Sequence, residues 1–593
     1  MIRLKTRIGW GVAGLFFLGS CAGVAEEQAL SIPRSAGFNA PAGWAFPRGS
    51  VASASSTGGM VATTDPVATA VGLEVLRSGG NAIDAAIATQ FALAVVNPEA
   101  GNIGGGGFMV IRTTSGESAA LDFREKAPLA ASRDMFLDAD GELTDRSVVG
   151  HLAAGVPGSV AGMWEAHRRF GSIPWSTLVE PAIRLADGLT VHPRLAESLS
   201  DYSSRLSRYP ATSAAYLPGG RAPTVGEVFS QPDLAATLRR IASDGADGFY
   251  SGRTAELIEA EMRRGGGIIT RADLAAYQAV WREPIQFSYR NHTVLTIPPP
   301  SSGGATLGEL LNILEGYDLR AAGFHSTRHI HLWAEAVKRA FADRNSYLAD
   351  PDFVAQPTAR MISDEYAAER RASIGPRATP SAEVTPGLGP VSGAALIREG
   401  DNTTHFSVVD RDGNAVAVTT TINSLYGNLV TVEGAGFLLN NEMDDFAARP
   451  GSPNQFGLVQ GEANAIAPGK RMLSAMTPTI VLDESGQLRL VTGSPGGPAI
   501  ITTVAQMISN VVDFGMDAAD AAAAPRLHHQ HLPDVLRYEA DGLMPAVADS
   551  LRSLGYTVRP RGGYSGDTQT IGVSDGRLRG VSDPRNGGLA AGE

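Results

Sequence analysis

A chain of 593 residues is too long to fold around one typical core, so more than one packed unit is expected. Its 43% hydrophobic and 19% charged residues are those of a globular protein, and a net charge of -12 with no long block of like charge argues against a nucleic-acid partner. One Cys leaves no intrachain disulfide to be made.

Arg3, Lys5 and Arg7 precede an apolar run from Ile8 to Leu18, too short to span a bilayer as a mature helix and laid out like an export signal. Leu18-Gly19-Ser20-Cys21 resembles a bacterial lipobox, which predicts a lipoprotein-type signal peptide over 1–20 and lipid on Cys21 that attaches the protein to a membrane. The alternative is ordinary cleavage after Gly23-Val24-Ala25. Either way the expected compartment is periplasmic or cell-surface. Residues 21–59, rich in Pro, Ser, Gly and Ala without periodicity, read as a tether, and globular sequence begins near Met60.

Pro66 to Ser78 is predicted helical, with a Pro start and a Gly79-Gly80 stop; Asn81 caps a second helix to Val96 whose face Ile83, Ile87, Phe91, Ala94 belongs in the core. Gly101-Asn102-Ile103-Gly104-Gly105-Gly106-Gly107-Phe108 suggests a phosphate cradle, but a helix precedes it and a strand, Phe108 to Thr113, follows, the inverse of a dinucleotide fingerprint. A second strand ends in Leu121-Asp122-Phe123-Arg124-Glu125; the Arg124 fork reads as a surface ion pair or as a carboxylate binder. Helical patterns at Trp164 to Phe170, Leu178 to Asp187, Leu195 to Leu206 and Pro232 to Ser243 carry no cluster of catalytic spacing. A strand near Thr293 to Ile297 runs into the rigid turn Pro298 to Gly304, and His325 to Ala349 places Glu335, Lys338, Arg339, Asp343 and Arg344 at helical spacings read as a solvated face. Gly375 to Gly400 lacks periodicity and reads as exposed chain ahead of a processing point.

At Asp401-Asn402-Thr403-Thr404-His405-Phe406-Ser407 that segment gives way to an alternating strand. A cut between Asn402 and Thr403 would give one residue both a hydroxyl nucleophile and an α-amino group, whose reference pKa of about 7.7 to 8.0 suits a general base. Thr404 to Asp410 and Ala415 to Thr421 form a hairpin about Arg411-Asp412-Gly413. A two-residue loop sets Thr421 beside Thr404; a three-residue loop with left-handed Gly413 sets Thr421 opposite Thr403, with Asn423 just past it. The sequence alone leaves both registers open, and a nucleophilic Thr403 supported by Thr421 requires the second.

Downstream, Glu442 and Asp445 in Asn440-Asn441-Glu442-Met443-Asp444-Asp445-Phe446 could bind an ammonium group. After a strand, Leu488 to Thr492, the run Gly493-Ser494-Pro495-Gly496-Gly497 could aim two N–H groups at an oxyanion, and its order is not that of a nucleophile elbow around Ser494. His528-His529-Gln530-His531 lacks the neighbouring ligands of a metal site and reads as packed or exposed histidine.

The chain resembles the γ-glutamyltranspeptidase family from about Met60 to its C-terminus. The motifs that carry this are Gly-Asn-Ile-Gly-Gly-Gly-Gly-Phe from Gly101, Asp-Phe-Arg-Glu from Asp122, Thr-Thr-His-Phe-Ser from Thr403, Leu-Leu-Asn-Asn-Glu-Met-Asp-Asp-Phe from Leu438 and Thr-Gly-Ser-Pro-Gly-Gly from Thr492. The resemblance implies an α+β fold, the four-layer αββα Ntn-hydrolase sandwich, made as a precursor that cuts itself into a large subunit, 60–402, and a small catalytic subunit, 403–593, which pair as a heterodimer. It further implies that Thr403 attacks the γ-carbonyl of glutathione or another γ-glutamyl compound, that Thr421 activates it, and that Gly496 and Gly497 form the oxyanion hole. Arg124 and Ser474 would hold the donor α-carboxylate, and Asn423, Glu442 and Asp445 its α-amino group. Water, an amino acid or a peptide would then accept the γ-glutamyl group, with no metal or organic cofactor.

Two positions depart from the family pattern: Ala475 stands where many members have a second Ser, and Phe456, in the loop Arg449 to Gly457 that resembles a bacterial lid, stands where some have Tyr. Related acylases of glutaryl-cephalosporins share the fold, so an acylase for glutaryl-type amides or a poly-γ-glutamate depolymerase is the alternative function. A non-catalytic surface binding module is a third.

Overall fold

The computed structural model describes residues 44–46, 49–389 and 403–593. The export leader, Cys21, most of the tether and Asn402 of the expected cut lie outside the described residues. No helix among the described residues is long and apolar enough to cross a membrane.

Fourteen strands build two seven-stranded antiparallel sheets. In chain order they are β1 (Ser53–Ser56), β2 (Met60–Thr63), β3 (Gly106–Arg112), β4 (Ser118–Phe123), β5 (Val280–Arg282), β6 (Ile285–Tyr289), β7 (His292–Thr296), β8 (Thr404–Val409), β9 (Ala415–Thr421), β10 (Thr479–Leu482), β11 (Leu488–Thr492), β12 (Gln569–Ser574), β13 (Arg577–Ser582) and β14 (Leu589–Gly592). One sheet runs β1-β13-β12-β11-β10-β7-β6 and the other β14-β2-β8-β9-β3-β4-β5. Each therefore interleaves strands from both sides of Thr403. Regular structure starts earlier than the sequence suggested: β1 lies inside the expected tether, its Ser53 paired with Val581 of β13. A four-residue polar edge strand has no hydrophobic alternation to announce it.

Period-two alternation explains the layering. Val61, Met109, Phe406, Val408, Val416 and Val418 point outward into a core shared with α1 (Pro66–Arg77) and α2 (Ala82–Val96). Met60, Ala62, Phe108, Val110 and Ala417 point inward, against the second sheet and a core that continues to α3 (Gly303–Glu315), α4 (Thr327–Tyr347) and α5 (Ala499–Val512). The result is helices, sheet, sheet, helices. Asn81 caps α2 with a reciprocal capping box, as its position before the apolar run predicts. Every residue of α2 is buried, not one face alone, because it is covered by helix and sheet together.

The helix α4 corrects the expectation of a solvated charged face. Glu335, Lys338, Arg339, Asp343 and Arg344 are all buried, at 0 to 2% exposure. Burial is tolerated because the charges are matched: Glu335 pairs with Lys338 at 2.5 Å and Arg339 at 2.8 Å, and Asp343 with Arg370 at 3.2 Å. The predicted helix over Leu195 to Leu206 is broken at Tyr202 into Pro193–Asp201 and Ser203–Leu206.

Candidate active site

The hairpin β8–β9 fixes the site. Thr404 pairs with Thr420 and Val409 with Ala415, and Asp410 N donates to Asn414 O at 3.0 Å, closing the three-residue loop Arg411-Asp412-Gly413. Gly413 supplies the left-handed residue that this loop needs, at φ 92°. Thr403 therefore lies opposite Thr421, on the face that looks toward the other sheet, where Ser407 Oγ donates to Gln569 O of β12 at 2.7 Å. Thr403 Oγ1 donates to Thr421 Oγ1 at 3.4 Å, and Thr421 Oγ1 also accepts from Asn423 N at 2.8 Å.

The glycine-rich run before β3 holds this pair from behind. Asn102 Nδ2 donates to Thr421 O at 3.0 Å, and a Cβ on Gly105 would meet the same oxygen at 2.0 Å. The glycines are there for close backbone approach, which accounts for a run without the strand-before, helix-after context of a nucleotide site. On the other side, His405 fills the space under Gly493, where a Cβ would meet its ring at 2.3 Å. Burial pulls His405 down to about 3, so it is neutral, with Nδ1 to Thr419 Oγ1 at 2.8 Å and Nε2 to Ser407 Oγ at 3.2 Å.

Arg124 follows β4 directly and is fully buried, so the surface ion-pair reading fails. Tyr277 Oη donates to its carbonyl at 2.8 Å, and Asp122 Oδ1 accepts from its N–H at 2.9 Å. Each nitrogen of its guanidinium already has a partner: Nη1 lies 2.6 Å from Glu442 Oε2, Nη2 lies 2.5 Å from Asp445 Oδ2, and Nε donates to Met472 O at 3.2 Å. Burial opposes the charge on Arg124, but the carboxylates of Glu442 and Asp445 outweigh it and hold the group above its ordinary range. Burial raises Glu442 well above the carboxylate range and Glu125 to about 8, each against the pull of Arg124. Glu442 Oε1 has no hydrogen-bond partner among the described residues.

Ser474 is held as backbone: its N–H donates to Pro300 O at 2.9 Å, and Ser302 donates to its carbonyl through N at 2.8 Å and Oγ at 2.6 Å. Asn423, at φ 71°, donates through Nδ2 to Asn441 O at 2.9 Å. Gly496 and Gly497 have φ of 128° and 52°, a backbone that L side chains rarely adopt, and neither N–H donates a hydrogen bond among the described residues. In the lid segment, Phe456 is buried and offers no hydroxyl. Its carbonyl and that of Gly457 accept from Gln530 Nε2 at 3.4 and 3.2 Å, and Gln455 N donates to Asp444 Oδ2 at 3.1 Å.

One narrow cavity brings together Thr403, Thr421, Asn423, Arg124, Glu442, Asp445, Ser474, Ala475, Phe456 and Gly497. Gly496 lines a broader adjoining cavity with Glu99, Arg194 and Tyr202, and Thr403 borders both. Arg344 also lines the narrow cavity. Sequence reasoning missed it because its neighbours on α4 have the spacing of a surface ladder. The histidine run is elsewhere: His528 Nδ1 meets Thr502 Oγ1 at 2.8 Å, His529 meets Asp534 at 3.2 Å and His531 meets Ser381 O at 2.8 Å.

Known proteins carry the same arrangement of sequence and fold. The family model described as gamma-glutamyltranspeptidase matches residues 68–593. The glutathione hydrolase proenzyme of Escherichia coli (strain K12) is 48% identical over 534 residues, 89% of this chain and 90% of its own. The crystal structure of cephalosporin acylase from Bacillus halodurans superposes with a TM-score of 0.80 at 30% identity, covering 93% of this chain and 99% of the acylase. That of Helicobacter pylori gamma-glutamyltranspeptidase gives a TM-score of 0.54 at 46% identity, covering 56% of this chain and 96% of its own. A match over nearly the whole folded chain, joined to a layered sandwich with a Thr at the head of its central hairpin, means that the protein belongs to the γ-glutamyltranspeptidase family of Ntn-hydrolases.

Proposed function

We propose that the protein is a self-cleaving γ-glutamyltransferase and glutathione hydrolase with Thr403 as its nucleophile. The observation that carries the reading is the hydroxyl pair Thr403–Thr421, 3.4 Å apart, at the mouth of a cavity walled by Arg124, Glu442 and Asp445. In the precursor, Thr403 Oγ adds to the carbonyl carbon of Asn402, the bond to Thr403 N breaks as that nitrogen takes a proton, and water hydrolyses the resulting ester. This leaves a large subunit ending at Asn402 and a small catalytic subunit, 403–593, paired as a heterodimer. The freed α-amine, near its reference pKa of about 7.7 to 8.0, takes the proton of Thr403 Oγ during attack on the donor.

The γ-carbonyl oxygen becomes an oxyanion that the free N–H groups of Gly496 and Gly497 can meet. The donor ammonium is met by Asn423, Asp445 and Glu442, whose Oε1 is buried without a partner. The α-carboxylate is met by Arg124 and Ser474. The leaving amine departs through the broader cavity, and water, an amino acid or a peptide enters by the same route to break the γ-glutamyl ester. Residues 1–20 act as the export leader, and lipid on Cys21 anchors the protein at the periplasmic face or cell surface, a reading supported by the Leu18 to Cys21 pattern.

The similarity to cephalosporin acylase favours a second reading, an acylase for glutaryl-type amides. The carboxylates at Glu442 and Asp445 weigh against it, because a glutaryl group brings no ammonium to meet them. Turnover of a γ-glutamyl anilide against its glutaryl counterpart, with a denaturing gel and N-terminal sequencing of the smaller band, tests both readings. Two bands, a fragment beginning at Thr403 and preference for the γ-glutamyl anilide are expected; a folded wild type that stays uncut would overturn the proposal.

A further inference from the structure

The donor cavity contains a guanidinium that the roles above leave idle. Arg344, on α4, is fully buried, yet it lines the same narrow cavity as Thr403 and Ser474. Its Nε donates to Ser302 Oγ at 2.9 Å, and that hydroxyl donates onward to Ser474 O at 2.6 Å, so the guanidinium lies two hydrogen bonds from the Ser474 backbone. Nη1 is used by Asn345 Oδ1 at 2.9 Å. Nη2 is buried and has no hydrogen-bond partner among the described residues.

Leaving a buried guanidinium N–H unmet is costly, and a group of that kind in a cavity wall is best explained by a ligand that completes it. Arg124 is poorly placed to serve a carboxylate alone, since Nη1, Nη2 and Nε already meet Glu442, Asp445 and Met472 O at 2.6, 2.5 and 3.2 Å. Among the described residues, the cavity thus presents a Glu442 carboxyl whose Oε2 meets only the Arg124 ion pair and whose Oε1 has no hydrogen-bond partner, and an unmet donor, Arg344 Nη2. A γ-glutamyl group carries the complementary pair, an ammonium and a carboxylate on one carbon.

We infer that Arg344 is a specificity-determining residue that binds the donor α-carboxylate through Nη2, beside Ser474 and in place of the hydroxyl that Ala475 lacks. The inference rests on the donor reading above. Burial lowers Arg344 to about 10, with partial compensation from Asp445, so the group stays charged at neutral pH. The Ser302 bridge gives it a second effect: it ties the guanidinium to the loop that carries Ser474, so the two carboxylate donors move as one.

Three donors separate the possibilities: a γ-glutamyl anilide with both charged groups, a glutaryl anilide with the carboxylate alone, and a 4-aminobutyryl anilide with the ammonium alone. Processed wild type, Arg344→Met and Arg344→Lys are compared, with two bands on a denaturing gel and an unchanged melting temperature as the entry condition. Arg344→Met is expected to lower kcat/KM for the γ-glutamyl and glutaryl donors roughly 10- to 100-fold, mainly through KM, and to leave the 4-aminobutyryl donor within about threefold. Arg344→Lys should recover part of the loss, and it replaces the Met variant if that one is not processed. Equal loss with all three donors, in either processed variant, overturns the inference, as does an unchanged KM for the γ-glutamyl donor. A wild type that ignores the γ-glutamyl anilide would refute the donor reading instead.

Discussion

Thr403 and Thr421, eighteen residues apart, face each other across the first pair of a hairpin whose register is fixed at its far end, where Gly413 closes a three-residue loop at φ 92°. Asn423 N–H, 2.8 Å from Thr421 Oγ1, holds the second hydroxyl in place for the first. Removing that hydroxyl while keeping its shape, in Thr421→Val, is expected to slow both precursor cleavage and anilide turnover by roughly 100-fold. Thr421→Ser should retain most of both. Gel densitometry over time and initial rates on the γ-glutamyl anilide check this, and a Val variant that is cut and turns over normally would remove Thr421 from the mechanism.

Gly105 tests how tightly the hydroxyl pair is backed. A Cβ there would lie 2.0 Å from Thr421 O and 2.8 Å from Asn102 Oδ1, so backbone must shift. Gly105→Ala should cost about 1–3 kcal/mol or more and leave the precursor uncut. Gly562→Ala is the control, since its Cβ would meet nothing within 4 Å. Thermal unfolding and a denaturing gel report the two outcomes.

Two main-chain carbonyls of the segment that resembles a lid are held by one side chain. Gln530 Nε2 donates to Phe456 O and Gly457 O, and Gln530 Oε1 is in turn held 3.0 Å from His528 Nε2. Gln530→Ala should loosen residues 449–457 and speed their amide hydrogen exchange by roughly threefold to tenfold, the worth of one or two net hydrogen bonds. Phe456→Tyr should change exchange in that segment far less. Equal protection in wild type and Gln530→Ala would mean that the segment is held by its other contacts, such as Gln455 N to Asp444 Oδ2.

Buried neutral histidines set the acid limit. Burial holds His405 and His329 near 3 and His325 and His529 near 4, against an ordinary 6.5. The unfolded chain therefore binds more protons than the folded one below pH 6.5, so stability falls as pH drops from there toward the folded values. At pH 5 each such histidine costs about 2 kcal/mol. In His405→Gln the loss of stability between pH 7.5 and 5 should shrink by about that amount, whatever the variant's absolute stability. Urea unfolding at the two pH values measures it; an unchanged difference would mean that His405 is not held neutral.

Local chemistry was legible in the sequence and long-range charge pairing was not. Asn81 before an apolar run, Pro66 at a helix start and Gly413 in a turn act through their immediate neighbours, and each is found where expected. Motif resemblance brought Arg124, Glu442, Asp445 and Ser474 to one cavity, although the residues span from β4 to the approach of β10. Arg344 was lost because Glu335, Lys338, Arg339 and Asp343 have the spacing of an exposed salt-bridge ladder. What buries them, Ser373, Thr379 and Arg370, comes from chain beyond the helix and carries no local signal. Strand β1 was lost for a similar reason: its partner, Val581, lies over five hundred residues away.

Both sheets mix strands from the two sides of Thr403. If the chain is cut there, neither piece can be lifted away without tearing open both sheets, since β8 sits between β2 and β9, and β10 between β7 and β11. Folding then has to precede the cut, and unfolding after it becomes a one-way event at low concentration: two strangers must meet again where one continuous thread once collapsed on itself. The precursor should refold from denaturant at any dilution, and the mature pair only at high subunit concentration.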